Sequence, residues 1–268
     1  ATLGGLEDYG NMELSPTGDQ LAVALMDNSE GTRDIWLYDV VGGSRTRFTS
    51  NPADENWMIW SPDGRRVVFN RFEGNAFGLY QTLSDGSGAE ELLISDANGK
   101  WPVSWSPDGE TILYVTNSRG TGNDLWALPL SGDRAPYPIF QSRSAENWAS
   151  FSPDGHWIAY SSTETGRAEI FVTAFPLSER RWRISTGGGS QSRWRRDGEE
   201  LFYLAANQML MAVEFRTQGS DIEVGPDREL FEIRPPWLSY RAYHPTDGAR
   251  FLVNRLIMAP GQNNQLAE

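Results

Sequence analysis

Phe151-Ser152-Pro153-Asp154-Gly155, followed closely by Ile158-Ala159-Tyr160, decides the fold because the chain keeps repeating it. Ser61-Pro62-Asp63-Gly64 and Ser106-Pro107-Asp108-Gly109 copy its last four residues letter for letter. Ser15-Pro16-Thr17-Gly18 and Arg195-Arg196-Asp197-Gly198 are worn copies, and His244-Pro245-Thr246-Asp247-Gly248 is a sixth with one extra residue. The glycines at 18, 64, 109, 155, 198 and 248 lie 46, 45, 46, 43 and 50 residues apart. Self-similarity at that period marks the blades of a β-propeller. The motif itself has a mechanical origin. Proline pre-sets φ at the second turn position, aspartate bonds nearby amides, and glycine takes a conformation that a Cβ would forbid. Its aspartates are therefore read as turn residues and not as a reactive series.

Around each turn the pattern is the same. A short strand ends in a large apolar residue (Leu14, Trp60, Trp105, Phe151, Trp194, Tyr243), and an alternating strand such as Val67-Val68-Phe69 follows the turn. A third strand comes after a polar loop, as in Ile35-Trp36-Leu37-Tyr38 or Leu125-Trp126-Ala127-Leu128, and a weaker fourth closes the unit. Period-two alternation bounded by Gly, Pro, Asn and Asp signals strands, and apolar residues at helical spacing occur nowhere. The expectation is an all-β, six-bladed β-propeller with four-stranded antiparallel blades, forming one domain over residues 1–268. The last blade is expected to be incomplete, because only its first two strands precede Leu256-Ile257-Met258 and the polar end. Thr2-Leu3 could complete it only as a stub, and Ala1 to Gly5 read as a cut into a longer chain.

The 268 residues carry a formal charge of −13, from 36 acidic and 23 basic side chains. That balance argues against wrapping nucleic acid, whose readers present basic faces, and is consistent with solubility. There is no apolar run long enough to span a bilayer. The absence of cysteine removes thiolate metal sites and thiol nucleophiles, and His156 and His244 fall in turns of different repeats, so no metal or cofactor is expected.

The repeats resemble the TolB-like propeller family, on the Ser-Pro-Asp-Gly turn followed by Ile-Ala-Tyr-type strands. The stretch Ile184 to Gln191 through Trp194 to Tyr203, with Phe151 to Ser161 and Arg250 to Asn254, is similar to the propeller region C-terminal to bacterial serine/threonine protein kinases. That resemblance implies a sensing or protein-interaction module. It leaves the compartment open, with a periplasmic or other extracytoplasmic setting favoured over the cytoplasm.

Propellers bind partners at the mouth of the central channel, where each first strand begins. Counting back five from the pre-turn residue gives Tyr9, Glu55, Lys100, Glu146, Gly189 and Leu238. Repeats two and four both read Glu-Asn-Trp, as Glu55-Asn56-Trp57 and Glu146-Asn147-Trp148, and repeat three between them carries Lys100-Trp101, with the chain's single lysine. Two carboxylates flanking one ammonium, walled by Trp57, Trp101 and Trp148, would recognise a protein, a peptide terminus or a small polar ligand. The competing reading is an internal ion-pair belt that ties blades together. Gly187-Gly188-Gly189 lacks the Lys-Ser/Thr ending of a phosphate loop and is read as a tight connection. The arginines from Arg180 to Arg196 are read as a solvated face. There is no Gly-x-Ser-x-Gly elbow, so the expected role is a non-catalytic, monomeric binding module that does not insert into membranes. The alternatives are a hydrolase or lyase with carboxylates at the mouth, or a periplasmic envelope scaffold.

Overall fold

The structure is a computed structural model that describes residues 7–254, except 28, 119, 179, 220, 236–239 and 247–249. Four blades follow one plan, each a meander of antiparallel strands in sequence order. Blade 1 comprises β1 (Tyr9–Leu14), β2 (Gln20–Asp27), β3 (Thr32–Asp39) and β4 (Arg45–Arg47). Blade 2 comprises β5 (Asp54–Trp60), β6 (Arg66–Glu73), β7 (Ala76–Leu83) and β8 (Glu91–Asp96). Blade 3 comprises β9 (Lys100–Trp105), β10 (Thr111–Asn117), β11 (Asn123–Pro129) and β12 (Tyr137–Phe140). Blade 4 comprises β13 (Glu146–Phe151), β14 (Trp157–Ser162), β15 (Glu169–Ala174) and β16 (Arg181–Arg183). Blade 5 uses β17 (Gly189–Trp194), β18 (Glu200–Ala205) and the long β19 (Met209–Gln218). One end of β19 pairs with β20 (Asp221–Val224) and the other with β21 (Arg228–Glu232). Among the described residues no helix is long and apolar enough to cross a membrane.

The blade count corrects the expectation: there are five blades, not six. The sixth turn copy sits in a two-stranded sheet of three residues per strand, β22 (Tyr243–Pro245) and β23 (Phe251–Val253). A turn motif reports a hairpin, and among the described residues this hairpin has no outer strands to make it a blade. Leu238, Thr2-Leu3 and Leu256-Ile257-Met258 lie outside the described residues.

The core is distributed between neighbouring sheets, because successive residues of a strand face opposite blades. Val67 and Phe69 pack towards Ala22, Ala24 and Ile35 of blade 1, whereas Val68 packs towards Ile112 and Tyr114 of blade 3. Similar layers join blades 3 and 4 through Leu113, Leu125 and Ile158, and blades 4 and 5 through Ala159, Val172 and Leu201. The two-stranded sheet fills the remaining sector. Phe251 and Val253 pack on blade 5, and Leu252, between them, packs on blade 1.

Candidate functional site at the channel mouth

The innermost strands set the channel lining, and each is interrupted by a register shift. The shifts lie between Tyr9 and Met12, Glu55 and Met58, Asn147 and Ser150, and Ser190 and Arg193; in blade 3 the shift falls where Ser104 gives way to Pro102 opposite β10. A bulge inserts an unpaired residue and re-aims its side chain. Asn11, Trp57, Val103, Trp148 and Gln191 all occupy such positions, and Trp148 and Gln191 take positive φ, 55° and 56°.

The counted column forms one structural row. Tyr9 pairs with Leu25, Glu55 with Arg71, Lys100 with Thr116, Glu146 with Ser162 and Gly189 with Ala205. The charges in that row are not gathered around Lys100. Lys100 is 1% exposed, its Nζ is ion-paired with Asp96, and it donates to the Asn98 carbonyl at 3.3 Å. Glu55, fully buried, accepts from Arg71 Nε at 2.6 Å, and Arg71 also reaches Glu90 at 2.7 Å and lies over the Tyr80 ring. Glu146 accepts from Ser142 Oγ at 3.3 Å and Ser162 Oγ at 3.1 Å. Burial pushes the Glu55 carboxyl up to about 7 against the pull of Thr49 and Arg71, and pushes Glu146 up as well.

The other expected residues are half-buried. Trp57 of blade 2 and Trp148 of blade 4 meet across the channel, ring centroids 5.1 Å apart, whereas the Trp101 ring lies against Gly99. Asn56 Oδ1 accepts from the Asn11 amide and side chain at 3.2 and 3.3 Å, and Asn147 Oδ1 accepts from Asn123 Nδ2 at 2.9 Å. Each asparagine thus fastens its inner strand to the preceding blade. Tyr9 donates to Glu7 Oε2 at 3.1 Å; burial and that carboxylate hold its hydroxyl firmly protonated.

Deeper in, the channel is plugged by a group the sequence reading missed. Arg193 makes a two-pronged contact with Glu13, at 3.1 and 2.7 Å. Arg241 pairs with the same carboxylate and crosses to donate to the Val103 carbonyl of blade 3 at 2.8 Å, with its guanidinium over the Trp57 ring. Asn11 Oδ1 accepts the Arg241 amide, and Gln191 Oε1 accepts the Ala242 amide, so blades 1 and 5 clasp the closing segment from both sides. Arg180, Arg181, Arg183 and Arg195 of the arginine cluster are paired with carboxylates too, as in Arg181–Glu164 and Arg183–Glu169. Gly188 donates its amide to Glu169, in the connection between blades 4 and 5.

A cleft of about 640 Å³ lies on the opposite face, between the turns of blades 2 and 3, and is bordered by Asp63, Arg66, Trp105, Asp108, Glu91 and Arg134. Its cause is a break in turn stacking. Gly64, Gly155 and Gly198 each approach the proline of the preceding turn (Pro16, Pro107 and Pro153), whereas Gly109 has no such neighbour. The turn carboxylates are structural: Asp63 accepts from Ser61 Oγ and the Arg65 amide, which hold it below the usual carboxylate range. Among the described residues no group of three or more His, Cys, Asp or Glu is placed to hold a metal ion.

No known family profile matches the chain. Two curated relatives align with part of it. The Tol-Pal system protein TolB of Anaeromyxobacter dehalogenans is 29% identical over 142 residues, which are 52% of this chain and 32% of that protein. The uncharacterized peptidase YuxL of Bacillus subtilis is 37% identical over 95 residues, 35% of this chain and 14% of that protein. The chain therefore spans less than half the length of these relatives. Among solved structures, a protein of Agrobacterium tumefaciens assigned as a TolB superposes with a TM-score of 0.67 at 18% identity, covering 83% of this chain and 82% of the other. TolB of Acinetobacter baumannii superposes at 0.63 and 19% identity, covering 81% and 54%. The fold is that of a TolB-like β-propeller. In this TolB-like propeller Trp57 and Trp148 meet between blades 2 and 4, and Glu55, Lys100 and Glu146 are buried.

Proposed function

We propose that this TolB-like propeller is a non-catalytic binding module that takes a protein or peptide on its mouth face, over Trp57 and Trp148. The observation that carries this reading is the bulge-held tryptophan pair, half-exposed above a plugged channel. Aromatic anchors that are already rigid lose little entropy on binding and dominate interface energetics. Glu55, Lys100 and Glu146 act beneath that surface as a framework, because each is buried and engaged within the chain. The same burial disfavours a hydrolase or lyase built on Glu55 and Glu146.

Likeness to TolB supports placing this binding role in a periplasmic envelope scaffold. The kinase-associated sensing role rests on sequence resemblance alone. A displayed peptide library selected on the purified protein tests the mouth reading, with binders followed by tryptophan fluorescence. Trp148→Ala is expected to weaken selected binders by at least tenfold, on the order of 1.4 kcal/mol or more. Binders that ignore Trp57→Ala and Trp148→Ala but are lost in Arg134→Ala would move the site to the opposite cleft and refute it.

A further inference from the structure

One inter-blade joint holds two buried carboxylates without a cation. The row that runs across each blade at the mouth places Asp34, Gly78, Asp124 and Glu169 at equivalent positions on the third strands, opposite Leu25, Arg71, Thr116 and Ser162. Each joint brings such a residue towards the row residue of the next blade's first strand. Between blades 1 and 2, Asp34 and Glu55 are met by Arg47 and Arg71. Between blades 2 and 3, Lys100 is met by Asp96. Between blades 4 and 5, Glu169 is met by Arg167 and Arg183, at 2.7 and 2.9 Å.

The joint between blades 3 and 4 contains Asp124 and Glu146, 0% and 3% exposed, and among the described residues neither has a salt bridge. Asp124 Oδ1 and Glu146 Oε2 are both buried with no hydrogen-bond partner. Their other oxygens accept from hydroxyls: Thr121 Oγ1 to Asp124 at 2.8 Å, and Ser142 and Ser162 Oγ to Glu146. The two segments are in direct contact. The Gly122 amide donates to the Ser142 carbonyl at 3.3 Å, Asn123 bonds Asn147, and a Cβ on Gly122 would lie 2.4 Å from the Ser144 carbonyl oxygen. The Asp124 charge adds to the burial that raises the Glu146 carboxyl. Arg181, whose field reaches Glu146, is already bound to Glu164 at 2.8 Å.

Buried charge without a counter-ion is costly, and an all-oxygen donor set with two free carboxylate oxygens matches hard cations. We propose that Asp124 and Glu146 bind a divalent hard cation of calcium type at the joint of blades 3 and 4, with the hydroxyls of Thr121, Ser142 and Ser162 beside it. This assignment is independent of what the mouth binds. The cation does at this joint what lysine and arginine do at its neighbours, and it stiffens the base of Asn147 and Trp148.

The test is a titration of chelator-treated protein with calcium chloride at pH 7, followed by thermal melting and by terbium luminescence sensitised through nearby tryptophan. A Tm that rises with calcium, and a terbium signal displaced by calcium, are expected in the wild type. Both responses should vanish in Asp124→Asn and in Glu146→Gln, while the calcium-free Tm of each variant equals or exceeds that of the wild type. A wild-type Tm unmoved by millimolar calcium overturns the proposal. An equal response in the double variant does so too. So does a calcium-insensitive protein whose stability falls more steeply with rising pH in the wild type than in Glu146→Gln, because a shared proton would then neutralise the pair. Arg119, in the adjoining loop, is outside the described residues; an Arg119→Ala variant that melts lower with no calcium response in either protein would make that guanidinium the counter-ion and end the idea.

Discussion

Glu55 shows how a single buried carboxyl can set a pH dependence for the whole protein. Its folded value of about 7 lies above the ordinary 4.5 because burial outweighs Thr49 and Arg71. Between those values the folded state holds a proton that the unfolded state has released. Stability contributed at low pH is therefore lost as the pH rises from about 4.5 through about 7. Urea unfolding at pH 5 and pH 7.5 should show the wild type losing stability relative to Glu55→Gln over that window; a gain would contradict the burial argument. Gly155 makes the companion case in backbone terms. Its φ of 74° is left-handed, and a Cβ there would sit 3.5 Å from Pro107. Gly155→Ala is expected to cost about 1–2 kcal/mol in chemical denaturation, with little change in the affinity of peptides selected on Trp57 and Trp148.

At the scale of elements, the pre-turn aromatic is a fastener between blades. Trp60 Nε1 donates to the Glu13 carbonyl at 3.0 Å and Trp194 Nε1 to the Ser150 carbonyl at 3.1 Å, each reaching the preceding blade. Trp105 Nε1 instead donates to Gly109, within its own turn. Trp60→Phe and Trp194→Phe keep most of the apolar packing and lose the bond, so each should cost about 1–3 kcal/mol from the carbonyl left buried. Trp105→Phe should cost less, and equal losses in all three would deny the fastening role.

These elements were legible because the turn chemistry and strand alternation are local. Counting back from Trp60, Trp105, Phe151 and Trp194 reached structurally equivalent residues, since every first strand carries the same one-residue register shift between that row and the pre-turn residue. What the row does was not legible. Whether Glu55 meets Arg71 or Lys100 depends on which way a bulged strand turns its side chains, and no spacing encodes that.

At the scale of the whole molecule, the ring consists of five blades and a two-stranded filler. The turn motif overstated the count because His244-Pro245 marks a hairpin like any other, while the outer strands that make a blade carry little pattern. The plug was hidden for a related reason. Glu13 and Arg241 stand 228 residues apart and meet only once the ring is closed. The cleft between blades 2 and 3 was equally hidden, being the product of a missing contact at Gly109 and not of any residue type. Removing the shared carboxylate with Glu13→Ala leaves two guanidiniums facing each other, and should lower stability by roughly 3–5 kcal/mol. Differential scanning calorimetry would register it as a fall in Tm or as an unfolded variant; an unchanged Tm would show that the plug does not secure the ring.

The closing sheet also gives the molecule a direction of failure. Neighbouring blades share broad apolar layers, but the filler is held to blade 1 through Leu252, Asn254, the Asn11 clasp and the single carboxylate of Glu13. Under load, or during spontaneous fluctuation, a ring parts at its weakest joint, and here that joint lies between the last strand and the first. The five blades would then behave as an open arc, each still packed on its neighbours. Amides of β23 and of the residues around Asn11 should exchange with solvent before those of β6, β10 or β14, so the clasp works as a seam whose opening precedes the loss of any blade.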